Sequence, residues 1–359
     1  MFRKFLSNSN YKLLLDSIED GNNISVFGLN LGEKLALLSD SAFLFYVVEN
    51  LDSVNIVADK LSALGRNVSI LTNVITPFTS EFSDSSDTLK TLCQIKSGAI
   101  DTLVLTPEII LGKYPNPKNI EILNIEKGTN FDVSSGIKKL ISLGYKRVDL
   151  VSSFGEFSVR GDVIDIYPIS SSPLRIFIDY DEVESIKYYN PVTMLTTEEI
   201  ERVGIYSNNY VTVTEKDIDS IYSSSNLPKD EEYEELIDMS KNNYKRLFFD
   251  NTLTSSIFDY VDGGVVAFDG TKVIYDKITK GVEDYNSNLL SLSKNLKKFA
   301  VNSKLELNKL LNFKNNSLIA FHYINQDNRI FKPNKVFSIR TLPTINYSKH
   351  YDTSNISAS

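Results

Sequence analysis

Apolar and polar positions recur with two different periods along this chain, and the changes of period mark its elements. Residues 25–28 are a short apolar strand candidate. Over residues 34–50, Leu35, Leu38, Ala42 and Phe45 recur at steps of three and four, which predicts a helix. Residues 55–58 and 67–71 read as strands around a short helix at 60–64, with Gly65 as its C-cap. Residues 101–107 form another apolar strand, followed by a short helix. Strands alternating with helices predict a parallel α/β layer.

Pro115 and Pro117 break that pattern, because proline cannot continue a helix or a central strand. Residues 1–118 are therefore read as one α/β unit and 119–210 as a second, strand-dominated one. The second unit has one clear helix, with Ile137, Leu140 and Ile141 on one face and Gly144 as its stop. Residues 211–228, which include Ser223, Ser224, Ser225 and Asn226, read as a polar linker. The acidic run from Asp230 to Glu235 reads as a solvated helix face. Residues 229–345 return to α/β, with strand candidates at 246–249, 264–268, 318–321 and 336–339, and 346–359 form a polar tail.

Composition narrows the class. At roughly 150 residues per domain, 359 residues fit two or three domains. With 42% hydrophobic and 23% charged residues, the chain is neither disordered throughout nor a small disulfide scaffold. No apolar run is long enough to span a bilayer, and residues 1–10 lack a signal-peptide pattern. A single cysteine, Cys93, cannot form an internal disulfide, and the expected location is the cytoplasm. The two histidines give little to catalysis: His322 lies in a buried-looking strand and His350 in the polar tail. One thiol and two histidines cannot assemble a Cys/His zinc site, and no Gly-x-Ser-x-Gly elbow supports a triad. The net charge of −8 argues against a broad nucleic-acid surface.

One turn sits where a phosphate loop would. Gly28-Leu-Asn-Leu-Gly32-Glu33-Lys34 follows a strand and opens a helix. A working loop needs Gly-x4-Gly-Lys-Ser/Thr, so that glycines admit the phosphates, lysine reaches them and a hydroxyl ligates magnesium. Here Gly28 and Gly32 are one residue too close, Glu33 precedes Lys34, and Leu35 replaces the hydroxyl. Asp269 after the strand at 264–268 resembles a Walker B acid, but Gly270 stands where the second acid would be. Both defects predict a degenerate nucleotide site.

The middle unit carries the most specific pattern. Phe157 and Val159 share one strand face, Ile164 and Ile166 share another of opposite parity, and a one-residue bulge near Gly161 would reconcile them. Ser158 and Arg160 then face away from the core. In the next strand, Leu174, Ile176 and Ile178 alternate with Arg175, Phe177 and Asp179, which are expected to face solvent. Two arginines and an aromatic on an open sheet face have the composition of a binding hot spot. A local reading stays open: Arg160 could pair with Asp162 or Asp179, and Phe177 could pack beneath the connection before Pro173.

The run from Gly144 to Pro168, containing Gly155-Glu-Phe-Ser-Val-Arg160-Gly-Asp-Val-Ile-Asp-Ile-Tyr-Pro168, together with Leu174-Arg-Ile176, Asp181-Glu-Val-Glu-Ser-Ile186 and Asn190-Pro-Val-Thr193, resembles the second domain of the bacterial transcription-repair coupling factor family. UvrB has a related domain. Weaker echoes occur at Gly28 to Lys34, at Thr102 to Pro107, and at Phe258-Asp-Tyr-Val261 with Val265 to Asp269. The resemblance implies a UvrB-like module: a RecA-like α/β domain, degenerate in its ATPase, interrupted by a small strand-rich α+β domain. It implies that the small domain recruits UvrA to a lesion where RNA polymerase has stalled. The family's UvrA-binding arginines fall on Arg160 and Arg175, and its aromatic falls on Asp179. Phe177, on the same predicted face, is the candidate to replace that aromatic.

Family members also carry an RNA-polymerase-interacting domain and a DNA translocase, which 359 residues do not accommodate. The chain is therefore expected to be an N-terminal piece or a truncated homologue, non-catalytic and without a cofactor. ATP, magnesium and contacts with RNA polymerase and DNA are expected only of a full-length parent. The competing expectation is a UvrB-like ATP-dependent helicase subunit with its own nucleotide site. Direct DNA binding would rest on Lys294, Lys297 and Lys298, whose spacing reads as one exposed helix face.

Overall fold

The computed structural model describes residues 9–78, 85–169, 171–208, 210–238, 244–300, 303–322 and 328–339. His350 and the tail at 346–359 lie outside the described residues. The first third contributes β1 (Ile24–Phe27), β2 (Leu44–Val47), β3 (Val68–Leu71), β4 (Thr102–Leu105) and a short β5 (Tyr114–Pro115). The middle contributes β6 (Ile122–Glu126), β7 (Lys146–Arg147), β8 (Glu156–Arg160), β9 (Val163–Ile166), β10 (Leu174–Asp179), β11 (Glu182–Tyr189), β12 (Thr196–Ile200) and β13 (Arg202–Tyr206). The last third adds β14 (Leu253–Ser255), β15 (Val265–Asp269), β16 (Ser317–His322) and β17 (Lys335–Ser338).

Seven of these strands form one parallel sheet in the order β17-β1-β16-β15-β2-β4-β3. Its central strands read as unbroken apolar runs because both faces are buried. In β2, Leu44 and Tyr46 enter one core while Phe45 and Val47 enter the other; β15 splits likewise, with Ala267 on one side and Phe268 on the other. Strands from both ends of the chain share this sheet, so the middle of the chain is inserted between β4 and β15. The fold is the expected α/β layer interrupted by a strand-rich unit.

That unit is a six-stranded sheet, β12-β11-β10-β9-β8-β7, antiparallel except where β7 and β8 run parallel. One face packs Phe157, Ile164, Ile176 and Ile186 with Leu140 of the helix Val133–Ser142 in one core. Ile141, expected on the inner face of that helix, is exposed. Gly136 instead lets the Phe131 ring approach the helix backbone.

Several expected elements differ, each for a physical reason. Residues 34–50 are not one helix: a helix at Leu31–Leu37 precedes β2, whose fully buried residues satisfied a helical count by coincidence. Residues 55–58 lie inside the helix Leu51–Ala63, started by the Asn50 side chain accepting from Ser53 N. Val54, Val57, Ala58 and Leu61 form its buried stripe, so the strand-like Ile56-Val57 pair belongs to a 3.6-residue period. Residues 246–249 fall in and just past a 3-10 turn, Tyr244–Phe248, rather than a strand. Residues 211–228, expected as a linker, hold the helix Glu215–Ser224, opened by a Thr214/Asp217 capping box, with Ile218 and Tyr222 buried.

Other expectations hold. Gly65 follows the helix Leu51–Ala63 in the left-handed conformation, at φ +90°. Asp230 caps the helix Glu231–Ile237, where its acidic first turn suits the helix dipole. Cys93 is buried in the helix Ser85–Ser97, and burial pushes its thiol pKa up to about 12.

Candidate protein interaction site

A row of polar residues crosses the face of the six-stranded sheet opposite its core. Strand register places Ser158 beside Asp165, Asp165 beside Arg175, Arg175 beside Lys187 and Lys187 beside Glu199. Asp165, 1% exposed at its side chain, is the hub. Its carboxylate accepts from Arg175 Nε at 2.7 Å and Nη2 at 2.9 Å, and from Arg160 Nη2 at 2.9 Å. The two-pronged arrangement matches guanidinium geometry and fixes the Arg175 plane. That plane lies over the Tyr189 ring, with Cζ 4.8 Å from the centroid, and Nη1 donates to Met194 O at 3.0 Å.

The two arginines therefore differ. Arg175 is only 15% exposed, and the hydrogen bond to Asp165 raises its pKa against the opposing effect of burial. Arg160 is 53% exposed and keeps one edge toward solvent. Two guanidiniums against one carboxylate leave one positive charge, presented mainly by Arg160. Phe177 is half-buried beneath Lys187, whose Nζ lies 5.7 Å from the ring centroid, while Asp179 is exposed at the strand end.

Four readings of this face change. Arg160 pairs with Asp165 rather than with Asp162 or Asp179. Phe177 meets Lys187 across the strands rather than a cover before Pro173. Arg175 does not face open solvent, because it is held against Asp165 and the Tyr189 ring, and Ser158, on the face opposite the core as expected, is buried. No bulge forms near Gly161: β8 and β9 join through the two-residue turn Gly161-Asp162, so Phe157 pairs with Ile166 and Val159 with Ile164. An even loop with this register puts odd residues opposite even ones, and Gly161 takes the left-handed φ of +58° that the turn needs. Alternation with Ile164 and Ile166 puts Asp165 on the face opposite the core, but only pairing across that turn and with β10 places it between the arginines.

The turn from Gly28 to Lys34 is bridged by its own side chains. Asn30 Oδ1 accepts from Glu33 N at 3.1 Å and Glu33 Oε2 accepts from Asn30 N at 2.9 Å, so a carboxylate sits at the helix start. Lys34 is fully buried and pairs with Asp269 Oδ1 at 2.6 Å, and Tyr46 OH donates to Asp269 Oδ2 at 2.8 Å. The lysine that would reach a phosphate thus reaches the Walker-B-like acid instead. Gly32 lies in the first helical turn, and Gly28 serves strand packing: at φ +86°, a Cβ there would collide with the Ile339 carbonyl.

Burial, with Asp269 close by, raises the Glu49 carboxyl pKa beside this pair. Folding then favours the protonated form, so Glu49 destabilises the fold at pH values above its folded pKa. That penalty fades as pH falls from the raised folded pKa toward the ordinary carboxylate value, and it is absent below that value. Glu49→Gln is expected to raise the melting temperature at pH 8 and to lose that gain near pH 3, as read by circular dichroism.

His322 lies at the end of β16, its Nδ1 3.1 Å from Thr271 Oγ1, with burial and Lys34 lowering its pKa. Lys294, Lys297 and Lys298 are exposed together on the helix Lys294–Ala300. Among the described residues, no group of three or more His, Cys, Asp or Glu could hold a metal ion, and no helix is long and apolar enough to cross a membrane.

The sheet and its arginine face lie within a recognised class: residues 123–210 match the UvrB interaction domain. The transcription-repair-coupling factor of Staphylococcus epidermidis strain RP62A is 27% identical over 331 aligned residues, covering 81% of this chain and 28% of that protein. The Borreliella burgdorferi transcription-repair-coupling factor is 42% identical over 89 residues, 24% of this chain and 8% of that protein. The corresponding Staphylococcus haemolyticus protein is 29% identical over 226 residues, 58% of this chain and 19% of that protein. The chain thus resembles a UvrB-like module of the coupling factors and spans under a third of the length of these relatives.

Proposed function

We propose that this chain is a non-catalytic interaction module that recruits UvrA to stalled RNA polymerase during nucleotide-excision repair. Residues 119–210 are the binding domain in this reading, and residues 1–118 with 229–345 form the interrupted scaffold that holds it. The observation that carries it is the preset Arg160–Asp165–Arg175 cluster on a domain matching the UvrB interaction family. Arg160 is the direct contact, since it is the half-exposed cation, whereas Arg175 acts from beneath. Phe177 and Asp179 border the same face. A nucleotide site filled by Glu33 and Lys34 supports a binding rather than an ATP-hydrolysing role. Contacts with RNA polymerase and DNA are assigned to other regions of the longer relatives.

Titration of UvrA into the full chain tests this. Arg160→Ala is expected to weaken binding by tenfold or more with an unchanged melting temperature, because a half-exposed arginine contributes little to folding. Parental affinity in both Arg160→Ala and Arg175→Ala would remove this face from the interaction.

A further inference from the structure

Arg175 holds something beyond Asp165. Its Nη1 bond to Met194 O ties the connection between β11 and β12 to the arginine cluster. That connection is held at several other points. Asn190 Oδ1 accepts from Val192 N at 2.9 Å and Thr193 N at 3.0 Å, Asn190 N donates to Leu195 O at 2.9 Å, and Met194 N donates to Asn190 O at 2.7 Å. Met194 adopts φ +60°, a left-handed conformation unfavourable for a residue with a Cβ. Yet the connection turns two apolar side chains outward: Val192 is 89% and Leu195 68% exposed. Rigid backbone and exposed apolar groups give the chain no burial of its own, but they suit a surface that must lose little entropy on docking.

We propose that the recognition face continues from Arg160 through Arg175 onto residues 190–195, where Val192 and Leu195 receive an apolar side chain of UvrA. This rests on the UvrA reading above. The single positive charge left on the cluster calls for an acidic group on the same partner surface, so the complementary patch pairs a carboxylate with an apolar neighbour. Apolar contact beside a partly desolvated arginine is the usual composition of an interface centre. Arg175 is then a positioning residue, linking the Asp165 cluster to the connection, and Val192 and Leu195 are direct contacts.

Titrations of purified UvrA into the full chain decide the matter. Val192→Asp combined with Leu195→Asp is expected to weaken binding at least tenfold with no change in melting temperature, while Val192→Ile stays within twofold of the parent. Arg175→Lys keeps the charge but loses the fork, and is expected to weaken binding in the parent and add little in the Val192→Asp/Leu195→Asp background. If Arg160→Ala loses UvrA while Val192→Asp/Leu195→Asp binds within twofold of the parent, this extension is wrong and the UvrA reading stands. If the parent itself does not bind UvrA, both fall together. If the paired substitutions change only self-association in sedimentation, the patch is a contact between copies of this chain and the proposal is overturned.

Discussion

Replacing Asp165 with alanine is expected to destabilise the fold by about 3 kcal/mol, the range for removing one member of a buried ion pair. The carboxylate is almost fully enclosed, and its loss leaves the largely buried Arg175 guanidinium facing the Tyr189 ring without an anion. The figure sits at the lower end of that range because Arg160, half-exposed, can turn to water. Asp165→Asn keeps an acceptor for one arginine and is expected to cost about 1–2 kcal/mol. The chain has no tryptophan, so circular dichroism during urea unfolding is the suitable measurement. Removing Arg175 as well should restore part of the loss, since the stranded charge goes with it. An Asp165→Ala midpoint equal to the parent would mean that the two arginines do not depend on this carboxylate.

The same cluster shows what the sequence made legible. Alternation in residues 174–179 placed Ile176 in the core and Arg175 on the opposite face, because a strand has a strict period of two. The continuous apolar runs at 101–107 and 264–268 foretold central parallel strands for the same kind of reason. What failed was information held between strands. In the sequence Asp165 is one polar residue between Ile164 and Ile166; only the two-residue turn at Gly161-Asp162 and the pairing with β10 bring it to Arg160 and Arg175. The helix at Leu51–Ala63 failed differently. Its apolar stripe at Val54, Val57, Ala58 and Leu61 overlaps a short β-branched pair, and the Asn50 cap was the signal that would have decided between them. At the phosphate turn, the spacing of Gly28, Gly32 and Lys34 already argued against a nucleotide cradle. That Lys34 would cross the sheet to Asp269 was not readable, because 235 residues separate the partners.

Lys34→Ala is the second large expected loss, about 3–5 kcal/mol, and it distinguishes a structural lysine from a nucleotide-binding one. The substitution strands Asp269 in the interior beside Glu49, whose carboxyl burial and Asp269 already push toward neutrality. It also opens a void where the fully buried side chain packed near the Phe321 ring, with Nζ 5.6 Å from the centroid. Lys34→Met with Asp269→Asn removes both charges while nearly keeping their volumes, and is expected to cost less than Lys34→Ala alone because no unpaired ion remains buried. A loop lysine serving phosphate would give the reverse pattern. Its removal would leave the melting temperature nearly unchanged and abolish ATP affinity, and Asp269→Asn would not compensate. Calorimetric titration of ATP and magnesium, alongside thermal unfolding of the parent and both variants, separates the two. ATP binding by the parent that disappears in a normally stable Lys34→Ala chain would return the UvrB-like ATPase reading to first place; instability without any change in ATP response would assign Lys34 to the fold.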